Sequence, residues 1–77
     1  MKLYIYSLGN TIYEGSADSV TLPSVEGELG ILPHHVPLVT ALKPGTIRYH
    51  IGQTKKEIPV TKGFAQINGD KTILLVE

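Results

Sequence analysis

Residues 64–76, FAQINGDKTILLV, decide the fold class. Asn68-Gly69-Asp70 is the strongest hairpin signal in the chain, because Asn-Gly tolerates the positive φ angles of a type I′ turn. It separates Phe64-Ala65-Gln66-Ile67 from Thr72-Ile73-Leu74-Leu75-Val76, a near-continuous apolar run expected in the middle of a core. Upstream, residues 46–51 are β-branched and aromatic, with Ile47, Tyr49 and Ile51 on one face and Arg48 and His50 alternating outward. Gly52-Gln53-Thr54 turns the chain into residues 55–60, KKEIPV, whose Pro59 belongs on a sheet edge. At the other end, Leu3 and Ile5 alternate with Tyr4 and Tyr6 as far as Ser7, and Gly9-Asn10 marks a turn. Residues 11–14 form a short strand closed by Gly15, and another starts near Asp18 and is broken by Pro23-Ser24. Strands this short, with turn signals at the roughly 8–12-residue spacing of small sandwiches, predict an all-β fold: a flattened two-sheet sandwich or barrel. No window carries a 3.6-residue period over two turns, and there is no internal repeat or low-complexity segment.

Composition sets the remaining bounds. The 77 residues predict a single domain over 1–77, and a chain of that size buries only roughly 60% of its unfolded surface. There are no cysteines, which excludes a disulfide framework and a thiolate metal site. Hydrophobic residues at 42% and charged residues at 18% describe a folded chain. Seven Lys+Arg balance seven Asp+Glu, which argues against a nucleic-acid partner. The charge is uneven, with net −3 over residues 1–42 and +3 over 43–77, a weak pointer to polar docking surfaces. No run approaches the ~20 apolar residues of a membrane span. The start is too short and too alternating for a signal peptide, so the expectation is a chain without direct membrane insertion that stays where it is made.

Catalytic chemistry is sparse. No serine sits in a recognisable nucleophile elbow, and no GxxxxGK[ST] phosphate cradle occurs. His34 and His35, with His50, are the metal candidates. Neighbouring side chains on extended backbone point to opposite faces, however, so one cation cannot easily take both. Glu26 and Glu28 share a face, but a glycosidase needs its carboxylates across a cleft, so a solvated, partner-facing pair is the better reading. Tyr4, Tyr6, Tyr13, Tyr49 and Phe64 could stack bases, yet without a basic surplus they are expected to fill a core or a protein interface.

The most unusual stretch is residues 26–45, EGELGILPHHVPLVTALKPG. Gly27 and Gly30 permit sharp turns on either side of Leu29. Pro33, Pro37 and Pro44 fix φ and donate no backbone hydrogen bond, which predicts a stiff exposed connection rather than a central strand, followed by a strand over residues 38–42. A loop that orders Leu, Ile, Val and His without burying itself reads as a docking surface.

This stretch also carries a family resemblance. Its residues follow the EGE-x-G-I/V-x-P-x-H-A/V-P-L-x-T-x-L/I-x-P-G pattern of the epsilon subunit of F-type ATP synthase (the delta subunit of mitochondria). The flanks agree, in the early strand ending at Ser7, in Ile12-Tyr13-Glu14-Gly15 and in Lys62-Gly63-Phe64. The chain therefore resembles the N-terminal domain of that family over essentially all of its length. The resemblance implies a two-sheet β-sandwich of about ten short strands, a rotor part with no catalytic residues and no cofactor. Its partners would be the gamma subunit and the c-ring, within a hetero-oligomer that couples ion-driven rotation to ATP synthesis. It would sit peripherally on the cytoplasmic face of a bacterial inner membrane, or on the stromal face of thylakoids. Carried over by position, Glu28 and His35 match the c-ring contact. Ser7 and Thr40 match the gamma-facing side, joined by Ile12, Tyr13 and Val39. Family members usually continue into a C-terminal helical hairpin, and the expectation is that residues 1–77 form the β-sandwich domain without it. The alternative from another class is a small β-sandwich enzyme or metal-binding domain using His34, His35 and Glu28.

Overall fold

The apolar run at the end of the chain becomes the centre of a sheet. The computed structural model describes residues 1–77 apart from the side chains of His35 and Val36. Nine strands are present among the described residues: β1 Lys2–Ser7, β2 Asn10–Ser16, β3 Ser19–Ser24, β4 Gly27–Ile31, β5 His35–Leu42, β6 Gly45–Ile51, β7 Thr54–Val60, β8 Gly63–Gly69 and β9 Lys71–Val76. No helix occurs among them. The resemblance implied about ten strands of the same kind.

The hydrogen-bonded order is β2-β1-β9-β8-β5-β3-β6-β7, with β4 on the other edge of β3. Pairing is antiparallel throughout except for β1 and β9, which run parallel with Lys2 opposite Lys71 and Ser7 opposite Val76. The path is thinnest at β5–β3, where Ser24 opposite Leu42 is the register pair. There the sheet folds over, giving a layer β2-β1-β9-β8-β5 against a layer β4-β3-β6-β7. Lys43 N donates to Pro23 O at 2.9 Å and Val25 N to Ala41 O at 3.0 Å, which pins the crossing.

The two inner faces share one core. Leu3, Ile5, Ala65, Ile67, Leu74 and Val76 from the first layer meet Val20, Leu22, Ile31, Ile47, Tyr49 and Val60 from the second. Thr72 joins them, its hydroxyl directed at the Met1 sulfur at 3.4 Å. The alternation expected for β1 and β6 holds: Leu3, Ile5, Ile47 and Tyr49 are buried. The expectation for residues 72–76 holds only on one side. Thr72, Leu74 and Val76 are buried, whereas Leu75 is 53% exposed. A two-layer sandwich covers each strand on one face, and nothing else in the described chain covers the other.

The stretch 26–45 departs most from its sequence reading. Gly27, at φ 120°, does make the sharp turn out of β3. Gly30 does not turn; it lies within β4 opposite Thr21. The expected stiff connection thus contains a strand, and the true turn is Leu32-Pro33-His34. Pro37 sits inside β5 rather than before it, because the register with β8 shifts between His35 and Leu38, which removes the need for its missing N–H. Pro23 likewise lies inside β3, beyond the last β6 pair at Thr21 opposite Arg48, where no ladder donor is required of it. At the 68–71 hairpin, Asn68 pairs with Lys71, so the turn residues are Gly69 and Asp70. Positive φ falls on Gly69, at 61°, and not on Asn68.

His34 is the non-glycine residue with positive φ, at 65°. An L-residue in this region is strained by roughly 1–2 kcal/mol, against about 0.5–1 kcal/mol of extra chain entropy for glycine. His34→Gly is therefore expected to raise stability by about 0.5 kcal/mol, read as a melting temperature roughly 2–4 °C higher. A lower melting temperature would mean that the imidazole makes contacts outweighing the strain.

Candidate partner-binding faces

The outer face of the β2-β1-β9-β8-β5 layer carries two neighbouring rows of side chains. Register places Val39, Gln66, Ile73 and Tyr4 in one, and Ala41, Phe64, Leu75 and Tyr6 in the next. Such a face is normally polar in a sandwich. Here Val39 is 71% exposed, Phe64 61% and Leu75 53%. The rings of Tyr4 and Tyr6 stack at 6.2 Å between centroids, and the Lys71 ammonium lies 5.9 Å from the centre of Tyr4. A groove of about 710 Å³ opens between Tyr6, Leu8, Ala41, Phe64 and Leu75. A smaller hollow of about 140 Å³ adjoins it at Val39 and Ile73, sharing Phe64 and Leu75. Lys62 and Glu77, paired at 3.6 Å, line one end of the groove. Leu8, 90% exposed at the β1–β2 turn, lines another part of it. Partial desolvation, then the neighbouring Glu14 and Tyr4, push the Tyr6 hydroxyl pKa up.

The residues matched to a gamma contact are divided by this geometry. Ser7 lines the large groove and Val39 the small hollow. Ile12 is the residue left without a register partner where β2 bulges against Ile5 and Tyr6, and it is exposed. Thr40 and Tyr13 end the inner row that runs through Ala65, Leu74 and Ile5. The Tyr13 ring packs against Tyr49 at 4.9 Å, and its hydroxyl donates to Ser16 O at 2.6 Å. Phe64, Tyr4 and Tyr6, read from sequence as core or interface, and Leu75, read as core, complete the apolar face. The available signal was the outward parity of the two tyrosines and an apolar run at 72–76 too continuous for a one-sided strand.

The outer face of the other layer is polar. Ser19 Oγ and His50 Nδ1 lie 3.2 Å apart. Arg48 Nε donates to Glu57 at 3.0 Å, and Arg48 Nη1 is 3.7 Å from Glu28. Glu28 is exposed on β4, two strands from Arg48, and the turn that follows it exposes Leu32 and His34. The side chain of His35 lies outside the described residues. Among the described residues no three His, Cys, Asp or Glu side chains converge.

The chain thus presents an apolar face with a groove on one layer and a charged face on the other. The model of the ATP synthase delta/epsilon chain β-sandwich domain matches residues 1–77. The chain belongs to that family. Among ATP synthase epsilon chains it is 42% identical to that of Prochlorococcus marinus (strain MIT 9301) over 76 residues, which is 99% of this chain and 57% of the relative. The epsilon chain of Alkalihalophilus pseudofirmus is 41% identical over 77 residues, covering 100% of this chain and 58% of the relative. The chain thus spans little more than half the length of these family members. A chain of the Euglena gracilis mitochondrial ATP synthase OSCP/F1/c-ring structure superposes with a TM-score of 0.90 at 25% identity, over 96% of this chain and 48% of that one. A chain of the Tetrahymena thermophila central stalk/c-ring structure shares the fold, with a TM-score of 0.82 at 13% identity over 97% and 61% of the two chains. No helix among the described residues is long and apolar enough to cross a membrane.

Proposed function

We propose that the chain is a non-catalytic rotor module of an F-type ATP synthase, binding the gamma subunit and the c-ring so that ion-driven rotation reaches the catalytic subunits. The observation that carries this reading is the exposed apolar face of Val39, Phe64 and Leu75 in a chain that matches the delta/epsilon family over its whole length. That face is assigned to gamma, with Ser7, Ile12 and Val39 on it or beside it and Tyr13 and Thr40 supporting it from the inner row. Exposed aromatic and aliphatic anchors beside a groove are the side chains that carry most of the energy of a protein interface.

The β4 strand and the turn after it are assigned to the c-ring through Glu28 and His35, the latter on the sequence motif alone. A left-handed His34 between Pro33 and β5 keeps that turn short and stiff, so little chain entropy is lost when it is engaged. The module would sit peripherally at the membrane surface, on the cytoplasmic face in a bacterium or the stromal face in a plastid.

Mixing the purified chain with the gamma subunit of the same synthase tests the reading. Co-elution in gel filtration at micromolar concentration is the expected result. A chain that still elutes alone with gamma in excess would remove the gamma assignment.

A further inference from the structure

On the outer face of the β4-β3-β6-β7 layer, one guanidinium is shared by two carboxylates from opposite edges of the layer. Register places Gly30, Thr21, Arg48 and Glu57 in a single row across β4, β3, β6 and β7. Glu57 sits directly opposite Arg48 and receives a hydrogen bond from its Nε at 3.0 Å. The remaining end of the guanidinium points the other way, across β3. Gly30 leaves that lane open, since a Cβ there would meet nothing within 4 Å. Arg48 Nη1 thus reaches to within 3.7 Å of Glu28, which belongs to the adjacent row opposite Pro23.

The two contacts are unequal. Arg48–Glu57 is a directly cross-strand, hydrogen-bonded pair, the stronger type. Arg48–Glu28 is a looser charge contact. A guanidinium is a rigid planar fork, so fixing its Nε side also fixes where its Nη1 stands. We propose that Arg48, held by Glu57, is a positioning residue for Glu28: it restrains the carboxylate on β4 in the orientation that a hydrogen-bond donor of the c-ring engages. The inference rests on the reading of Glu28 as a c-ring contact. It adds that two residues remote from that contact, Arg48 on β6 and Glu57 on the far edge, contribute to it through Glu28. An unrestrained surface glutamate would lose its rotamer freedom on docking, and the array removes part of that loss beforehand. A lysine at position 48 is a compact point charge and cannot hold both carboxylates in this geometry.

The test is a double-mutant cycle read by binding of the chain, in complex with gamma, to detergent-solubilised c-ring of the same synthase. Glu28→Gln is expected to weaken binding about tenfold. Arg48→Gln and Glu57→Gln are each expected to weaken it about threefold. The Glu28→Gln/Arg48→Gln double variant should bind no more weakly than Glu28→Gln alone. Melting temperatures should stay within a few degrees of the parent, because all three side chains are at the surface. If Arg48→Gln leaves binding unchanged or tightens it, or if its loss adds fully to that of Glu28→Gln, the positioning role is overturned while the Glu28 contact stands. If Glu28→Gln itself binds as tightly as the parent, the contact reading fails, and the positioning role with it.

Discussion

Leu75→Glu is expected to abolish association with the gamma subunit at micromolar concentrations while the chain remains folded. The side chain stands between Phe64 and Tyr6 in the outer row and lines both hollows on that face. A partner that covers this row must desolvate whatever stands at its centre. A buried unpaired carboxylate there, together with the lost apolar contact, costs on the order of 2–4 kcal/mol, or roughly 30- to 1,000-fold in affinity. Folding should be spared, because Leu75 is already more than half exposed and faces away from the core. Val25→Glu is the control. Val25 is also an exposed apolar residue, but it lies in the turn between β3 and β4 rather than on the outer face of the first layer. Gel filtration with gamma, accompanied by circular dichroism of each variant, separates the outcomes. If both variants retain gamma, or both lose it, the outer row is not the gamma surface.

Gly63→Ala should produce the largest loss of stability from a single methyl group. Gly63 opens β8 opposite Val76, at a point where the two backbones approach more closely than any side chain allows. A Cβ at this position would collide with the carbonyl oxygen of Leu75 and lie 3.0 Å from the Val76 Cα. These are backbone atoms in a paired central strand, so the clash is relieved only by separating β8 from β9 at that end. Overpacking of this kind costs about 3 kcal/mol. For a domain near this length each kcal/mol shifts the midpoint by about 4–8 °C, so a fall of roughly 12–24 °C in the thermal melt is expected. A fall of less than about 3 °C would show that the strands accommodate a side chain there. The same methyl at Gly30, where the space is open, should have little effect.

Most of the strands were legible because their apolar residues alternate. Leu3 and Ile5 against Tyr4 and Tyr6, and Ile47 and Tyr49 against Arg48 and His50, declare both a strand and its faces. β4 was not legible, because Gly27-Glu28-Leu29-Gly30-Ile31 contains two glycines and only two strand-forming residues. It becomes a strand by pairing with β3, a tertiary effect that local propensity does not contain. The prolines misled for a related reason. A proline excludes a strand only where the ladder needs its N–H; Pro23 stays in register opposite Glu28 beyond the last β3–β6 pair, and Pro37 lies where the β5–β8 register shifts. The apolar outer face was half legible. Its residues were read as core or interface, and the choice between the two depends on which neighbour each strand acquires. The family motif pointed to Glu28 and His35 by position, whereas Arg48 and Glu57 enter the proposed array only through the cross-strand register.

The parallel pairing of β1 with β9 has a kinetic meaning. Its register joins Lys2 to Lys71 and Ser7 to Val76, so the first and last strands lie side by side in the middle of one layer. Until β9 is in place, β1 has only the edge strand β2 beside it, and the outer rows lack Tyr4 and Tyr6. Closing so long a loop is slow compared with forming the hairpins. The four-stranded layer β4-β3-β6-β7 can assemble from contacts within residues 19–60, ahead of that closure. The β5-β8-β9 part of the apolar face can form from residues 35–76, a segment of the same length, so what waits on that closure is the edge that Tyr4 and Tyr6 bring to it.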